Sequence, residues 1–207
     1  MAEYGILDTE TTGLLEHEWA RVIEIGVAVF DSEGDLFEPV RTWSSMVCPD
    51  VLTDEGLRVA WQISQITEAE IRSAPPAHEV WLDLFYEVDD LPILCWNTPF
   101  DKAMVRRSFL GDMADPIEWS GDVMIEFGEL FRSVLGSSRH AGGGPRWVTL
   151  KRAMSMSGLK FPGGEQSHRA IGDCIGTGQI RQHMLRGLIG PPKENPKGLH
   201  GKMKFSF

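Results

Sequence analysis

Three runs of apolar residues in the first fifty positions have the length of buried β-strands. They cover residues 4–8, 21–30 and 36–48, and the second run reads RVIEIGVAVF. The segment DSEGD at 31–35 separates the last two runs and places a glycine among polar residues, which is typical of a hairpin turn. The pattern therefore predicts one strand followed by a β-hairpin.

Helical spacing of apolar residues begins after position 52. The segment TDEGLRVAWQISQITEAEIRSAPP predicts two short helices that end at Pro75-Pro76, and the apolar positions between 77 and 88 form one helical face. Further along, the pattern predicts strands at 91–97 and 117–121, helices at 99–110, 122–135, 147–158 and 167–187, and a glycine-rich loop at 136–146.

Strands that alternate with helices after an initial hairpin are typical of an α/β sheet covered by helices on both faces. The 207 residues are enough for one such domain with a full core and few for two. We expect the domain to occupy residues 1–188 and residues 189–207 to form a basic, Pro- and Gly-rich tail. No internal repeat is visible.

The charge of the chain is divided unevenly along its length. The net charge is −10, but residues 1–138 hold 27 acids and 8 bases, whereas residues 139–207 hold 3 acids and 12 bases. A solvated acidic face accounts for most of the acids. The basic C-terminal third leaves open a polyanionic partner.

Cysteine content and hydropathy restrict the cellular setting. The three cysteines Cys48, Cys95 and Cys174 are far apart and lack CxxC spacing, which favours free thiols in a reducing compartment over a disulfide or zinc site. No run approaches eighteen apolar residues, and the N-terminus lacks the pattern of a secretory signal. We expect a cytoplasmic protein without a membrane span.

Two carboxylates lie near the end of the first predicted strand. Asp8 and Glu10 are two positions apart, so on a strand they point to the same side. Carboxylates this close repel each other unless a cation lies between them, and hard oxygen ligands favour Mg²⁺ or Mn²⁺ over zinc. A surface turn with two exposed acids explains the same pair without a metal.

Two later segments carry further candidates. In WNTPFD, Asn97 and Asp101 follow a second buried strand, whose end lies near the first in a parallel sheet. A helix cap and a first-turn acid are the structural explanations. In HRAIGD, His168 and Asp173 are five positions apart, and on a helix starting at His168 both reach its inner side.

Taken together, these segments resemble the DEDDh branch of the DnaQ-like 3′→5′ exonucleases. The family motif DxE is present as DTETTG at 8–13, NxxFD at 97–101 and HxAxxD at 168–173, and the resemblance covers about residues 4–187. The sister DEDDy branch has Tyr four residues before the last Asp, where this chain has Arg169. The resemblance implies a ribonuclease-H-like fold with a mixed sheet of about five strands.

The resemblance also implies a mechanism with two divalent cations, Mg²⁺ or Mn²⁺. Asp8 would bridge both ions, and Glu10 and Asp173 would bind the ion that carries the attacking water. Asp101 would act directly or through water, and His168 would be the general base. Nucleoside 5′-monophosphates would leave one at a time from the 3′ end of single-stranded DNA. The residues expected to bind substrate are Thr9, Thr11, Thr12, Gly13, Leu14, Asn97 and Phe100.

Further contacts with nucleic acid are expected from basic and aromatic side chains. Phe161 or Trp147 is a candidate for stacking on a base. Gly163 and Gly164 suggest that His168 lies on a segment ordered by substrate. The candidates for backbone phosphates are Arg106, Arg107, Arg139, His140, Arg146, Lys151 and Arg152.

Other functions remain open at this point. The same acids serve ribonucleases that resemble oligoribonuclease or ribonuclease T, because DNA and RNA differ here only in a 2′-hydroxyl contact. A proofreading subunit would dock a separate DNA polymerase through the tail, with Phe205 and Phe207 as anchors. A non-catalytic nucleic-acid-binding module is disfavoured because the His and all four acids are present.

Overall fold

A computed structural model describes residues 3–34, 37–136, 146–162 and 168–191. The strands are β1 (Glu3–Thr11), β2 (Val22–Asp31), β3 (Arg41–Met46), β4 (Ile93–Cys95) and β5 (Trp119–Asp122). The helices are α1 (Asp54–Ser64), α2 (Glu68–Ser73), α3 (Ala77–Val88), α4 (Thr98–Val105), α5 (Val123–Leu130), α6 (Arg132–Leu135), α7 (Leu150–Met156) and α8 (Ala170–Leu185), with a π-helical turn at Arg106–Leu110 after α4.

The five strands form one mixed sheet in the order β3-β2-β1-β4-β5. β1, β2 and β3 pair antiparallel, whereas β4 runs parallel to β1, and β5 runs parallel to β4. The predicted α/β class and the sheet of about five strands are confirmed. In this order β1 is the central strand, so side chains from both halves of the chain meet around it.

The two faces of β1 differ in what covers them. Tyr4 and Ile6 face a core completed by residues of α5, α7 and α8. Leu7 faces the opposite core, to which α3 and α4 contribute. Because side chains alternate along a strand, Asp8 and Glu10 continue the row that faces α8, and Thr9 continues the row that faces α4.

Several predicted boundaries differ from the structure. β1 extends to Thr11 rather than ending at 8, because its backbone pairs with β2 as far as Thr11↔Val22. The connection between β2 and β3 is longer than the hairpin turn predicted at 31–35, because β3 begins only at Arg41. Position 35, the last of the predicted turn, lies outside the described residues. β4 has three residues instead of seven, and the single helix predicted at 122–135 is two helices that meet at Phe131.

The start of the last helix corrects a prediction that concerns the site. α8 begins at Ala170, and Arg169, its N-cap residue, has extended backbone angles of φ −131° and ψ 131°. His168 therefore lies before the helix, not in its first turn, and the argument that placed it and Asp173 on one helical face was wrong. Both residues nevertheless lie at the N-terminal end of α8, with His168 just before the helix and Asp173 in its first turn.

Candidate active site

Three carboxylates form a compact group between β1 and α8, hereafter the acidic trio of Asp8, Glu10 and Asp173. Each offers an oxygen atom, and these atoms all lie within 4.8 Å of one another. Asp8 and Glu10 share the strand face that α8 covers, and Asp173 lies in the first turn of that helix. The sequence placed these residues 165 positions apart at most, and the packing of α8 on β1 brings them together.

Asp101 adjoins the trio from the other side of β1. It is buried in α4, and its Oδ1 accepts hydrogen bonds from the Thr9 backbone N–H at 3.1 Å and from the Thr9 hydroxyl at 2.8 Å. These bonds fix the carboxylate against the strand between Asp8 and Glu10. Asp101 is close enough to Asp8 to raise the pKa of that carboxyl.

The pKa values of four carboxyl groups, those of the trio and that of Asp101, are raised. Burial, followed by the charges of Asp173, Asp101 and Glu10, raises the pKa of Asp8 well above its usual value. Burial likewise raises the pKa of Glu10 and Asp101 to about 7 and the pKa of Asp173 to about 8. Anionic groups in such a cluster are stabilised when a cation replaces the protons.

A buried atom without a partner supports a cation at this position. Within the described residues, Asp173 Oδ1 is buried and accepts no hydrogen bond. Buried polar oxygens are nearly always bonded, so this oxygen is suited to a ligand that approaches from the trio. An all-oxygen set of carboxylates fits Mg²⁺ or Mn²⁺.

Ser64 and Glu24 contact the site without having been predicted. The Ser64 hydroxyl, at the end of α1, donates to Glu10 Oε2, and Glu24 on β2 pairs directly with Glu10 across the strands. Nothing in the sequence near Ser64 marks it. Glu24 did carry a signal, because a lone acid within RVIEIGVAVF needs a buried partner.

The predicted substrate residues fall into two groups. The hydroxyl of Thr9 binds Asp101, and buried Thr12 donates its hydroxyl hydrogen to the Arg21 carbonyl. Thr11 donates to the Gly13 carbonyl, and a Cβ on Gly13 would lie 3.0 Å from His17 and Trp19. These residues build the turn after β1. Leu14 projects from it with 56% of its surface exposed.

The second motif supplies less exposed side chains. Asn97 is the N-cap residue of α4, but its side chain makes no capping hydrogen bond. Phe100 is partly buried and packs against the core that α3 and α4 share.

His168, from the third motif, is exposed at the start of α8. Gly163 and Gly164, proposed to make its segment mobile, lie outside the described residues.

The residues predicted to bind phosphates or to stack on bases differ in their exposure and contacts. Arg107 is engaged, since it donates to the backbone carbonyls of His17 and Leu15 and so holds the turn that carries Leu14. Phe161 packs against the core, whereas Trp147 is 57% exposed. Arg106, Arg146, Lys151 and Arg152 are exposed, and Arg139 and His140 lie outside the described residues.

Trp61 is an exposed aromatic residue that the prediction missed. It lies on α1 three positions before Ser64, with 56% of its surface exposed. Residues three apart on a helix are neighbours on its surface. Trp61 is therefore one helical step from the hydroxyl that binds Glu10.

Comparison with protein families gives one match that spans most of the chain. The family model RNase_T, described as "Exonuclease", matches residues 6–180. A curated protein, 3′-5′ exonuclease DinG from Staphylococcus saprophyticus, is 26% identical over 106 residues, which are 51% of this chain and 11% of that protein. The chain thus spans only a small part of that relative.

Solved structures share the fold at low sequence identity. E. coli exonuclease I in complex with a dT13 oligonucleotide superposes with a TM-score of 0.64 at 17% identity, over 88% of this chain and 40% of that one. A 3′-exonuclease described as recognising a histone mRNA stem-loop gives a TM-score of 0.67 at 16% identity, over 89% of this chain and 64% of that one.

Within the described residues, no helix is both long and apolar enough to cross a bilayer.

Proposed function

Because the chain belongs to the DnaQ-like family of 3′→5′ exonucleases, we propose that it removes nucleotides from the 3′ end of single-stranded DNA as nucleoside 5′-monophosphates. The observation that carries the proposal is the acidic trio. Three neighbouring carboxylates have raised pKa values, and among the described residues no cationic side chain pairs with them, while Asp173 Oδ1 is buried without a hydrogen-bond partner.

The site is proposed to bind two divalent cations, Mg²⁺ or Mn²⁺. Asp8, Glu10 and Asp173 would hold them, with Asp101 acting directly or through water from its fixed position against Thr9. When bound, such ions activate water and neutralise charge that develops on the phosphate. The side chains of the trio would position the ions and, by releasing their protons to solvent when the ions bind, would couple binding to pH.

His168 is proposed as the general base. It follows the family pattern five residues before Asp173, is exposed at the N-terminal end of α8, and so is accessible to a water molecule at the scissile phosphate. A neutral imidazole accepts that proton readily near neutral pH.

The terminal nucleotide is proposed to rest on the turn after β1. Leu14 offers an exposed apolar surface. The turn that carries it is held by hydrogen bonds from the Thr11 hydroxyl to the Gly13 carbonyl and from Arg107 to the Leu15 carbonyl. Trp61, on the α1 side of Glu10, supplies a face for base stacking. Stacking and apolar contact both suit unpaired ends, which favours single-stranded substrate.

RNA is the second candidate substrate. The fold is shared with a 3′-exonuclease described as recognising a histone mRNA stem-loop and with a protein in complex with a dT13 oligonucleotide. The same carboxylates would serve either substrate, because DNA and RNA differ in the 2′-hydroxyl. A polymerase partner that binds residues 189–207 is a further proposal, and 192–207 lie outside the described residues.

The deciding experiment uses 5′-labelled and 3′-labelled DNA and RNA oligonucleotides, single- and double-stranded, with Mg²⁺ or Mn²⁺. The proposal expects a descending ladder from the 5′ label and immediate release of the 3′ label as a mononucleotide. Digestion that persists in excess chelator, or internal fragments as first products, would overturn it. Faster digestion of RNA would select the second candidate.

Removing a metal ligand gives the first mutational prediction. Asp8→Asn and Asp173→Asn should each abolish turnover, because each removes one of the three carboxylates that would hold the ions. The control is Asp83→Asn, which changes an exposed acid on α3 and the same formal charge. Activity on labelled DNA and Mn²⁺ titration together check the result, and turnover retained in both trio variants would contradict it.

A further inference from the structure

Glu24 is a buried acid with an arginine held against it. Glu24 is 4% exposed, and Arg169 donates to its carboxylate through Nε at 2.9 and 3.1 Å and through Nη2 at 2.9 Å. The backbone N–H of Ala170 adds a third donor at 3.2 Å to Oε2. A forked guanidinium–carboxylate pair of this kind fixes orientation as well as distance.

The same strand holds the start of α8 by direct backbone contact. A Cβ at Gly26 would lie 2.9 Å from the Ile171 nitrogen and 3.0 Å from the Ala170 carbonyl carbon, so α8 touches β2 with no side chain between them. The Cys174 thiol donates to the Gly26 carbonyl at 3.2 Å. Two residues of β2 therefore determine where residues 169–171 lie.

The backbone at Arg169 transmits this constraint to His168. Its angles are extended, and Arg169 is joined to His168 by a single peptide group. With the Arg169 side chain and the Ala170 N–H both bound to the Glu24 carboxylate, the backbone that carries His168 is held next to β2. The Arg169 side chain is 43% exposed, so burial alone does not account for its ion pair with Glu24.

The pair is also badly placed for a purely structural role. Glu24 lies opposite Glu10, and its charge is among those that raise the pKa values of Asp8, Glu10 and Asp173. A buried ion pair is seldom more stabilising than apolar residues of equal volume. A further carboxylate beside the trio and Asp101 is a disadvantage that a positional function offsets.

We propose that Glu24 and Arg169 are positioning residues that hold His168 in its place for proton transfer. The inference rests on the proposed nuclease activity and on the role of His168 in it. It assigns a function to two residues outside the five that the resemblance supplies.

The test is a double-mutant cycle on the full chain with labelled single-stranded DNA. Arg169→Gln should lower kcat by up to about 10²-fold, as expected for a displaced catalytic group, with KM and the Mn²⁺ affinity nearly unchanged. Arg169→Lys should restore part of the loss. In a His168→Ala background, Arg169→Gln should cause little further loss, because the group it positions is absent.

The matched control is Arg72→Gln, which breaks an exposed Arg–Glu pair on α2. It should leave kcat unchanged in both backgrounds. Glu24→Gln should behave as Arg169→Gln does, and thermal unfolding identifies a variant that fails to fold, in which case the Arg169 series decides alone.

Two results would overturn the inference. One is a full, multiplicative loss from Arg169→Gln in the His168→Ala background. The other is a loss of Mn²⁺ affinity equal to the loss of kcat, which would place the pair in the metal site. A His168→Ala variant as active as the wild type would instead refute the proposed base, and an inactive wild type would refute the proposed function.

Discussion

At the scale of single residues, the site depends on side chains that sequence motifs reveal unequally. Asp8 and Glu10 drew attention because they follow an apolar run, where a charge requires an explanation, whereas Asp173 was identified by its spacing from His168 and by the resemblance to the HxAxxD motif. Ser64 gave no such signal, since a serine near a helix end is common and its contact is 54 positions away. Contacts of this length depend on the tertiary fold and cannot be read from neighbouring residues.

Ser64→Ala tests the influence of that hydroxyl. Its hydrogen bond lowers the pKa of Glu10 against the larger, raising effect of burial. Removing it should raise the Glu10 pKa further, because the charged carboxylate loses a hydrogen bond that stabilises it. The acid limb of the pH–rate profile should then move to higher pH, and Mn²⁺ affinity at pH 6.5 should fall.

Ser73→Ala is the control for this substitution. Ser73 donates to a backbone carbonyl on the exposed side of α2 and has no contact with the trio. Its pH–rate profile should match that of the wild type. An acid limb that stays in place in Ser64→Ala would show that Glu10 does not limit metal binding in this range.

At the scale of elements, periodicity predicted which segments form strands and helices but not where each one ends. The apolar run stopped at 8, yet β1 continues through three polar or charged residues because β2 supplies hydrogen-bond partners there. Conversely, LPILCWN is apolar up to Trp96, but only Ile93–Cys95 forms a strand. The helix predicted at 99–110 changes to a π-helical turn at Arg106, a local pattern that spacing does not distinguish.

Gly26→Ala tests how closely α8 must approach β2. The new methyl group would meet backbone atoms of Ala170 and Ile171, which cannot rotate away as a side chain does. We expect a loss of about 1–3 kcal/mol in the free energy of unfolding from overpacking, and a fall in kcat because Asp173 moves with the helix. Thermal or denaturant unfolding and single-turnover kinetics measure the two effects.

Gly5→Ala provides the comparison on the adjacent strand. There the new methyl group would lie 2.5 Å from Ile93 Cδ1, the end of a flexible side chain. A rotamer change relieves that contact, so both losses should be smaller. Equal effects on kcat in the two variants would argue against a special role for the β2–α8 contact.

At the scale of the whole molecule, the acidic cluster links stability to pH and to metal. The folded-state pKa values of Glu10, Asp101 and Asp173 are about 7, 7 and 8, above the ordinary values of 4.5, 3.8 and 3.8. The folded protein therefore binds protons more tightly than the unfolded chain. The stability that these protons contribute is complete below about pH 4 and is lost as pH rises through 7 and 8.

This linkage predicts a metal effect that grows with pH. Divalent cations replace the protons, so the increase in Tm caused by Mn²⁺ should be larger at pH 8 than at pH 6. Asp173→Asn removes one of the raised groups and should reduce both the metal effect and its pH dependence. An increase in Tm that is the same at both pH values, measured by thermal unfolding, would show that protons and metal do not compete.

The packing of α8 against β1 and β2 also sets an order of events during translation. β1 with Asp8 and Glu10 is made before α8, because Asp173 and His168 follow more than 150 residues later. A nascent chain that ends before His168 lacks the third carboxylate of the trio and the proposed base. The complete carboxylate cluster can therefore form only after Asp173 has been made and α8 can pack on β1 and β2.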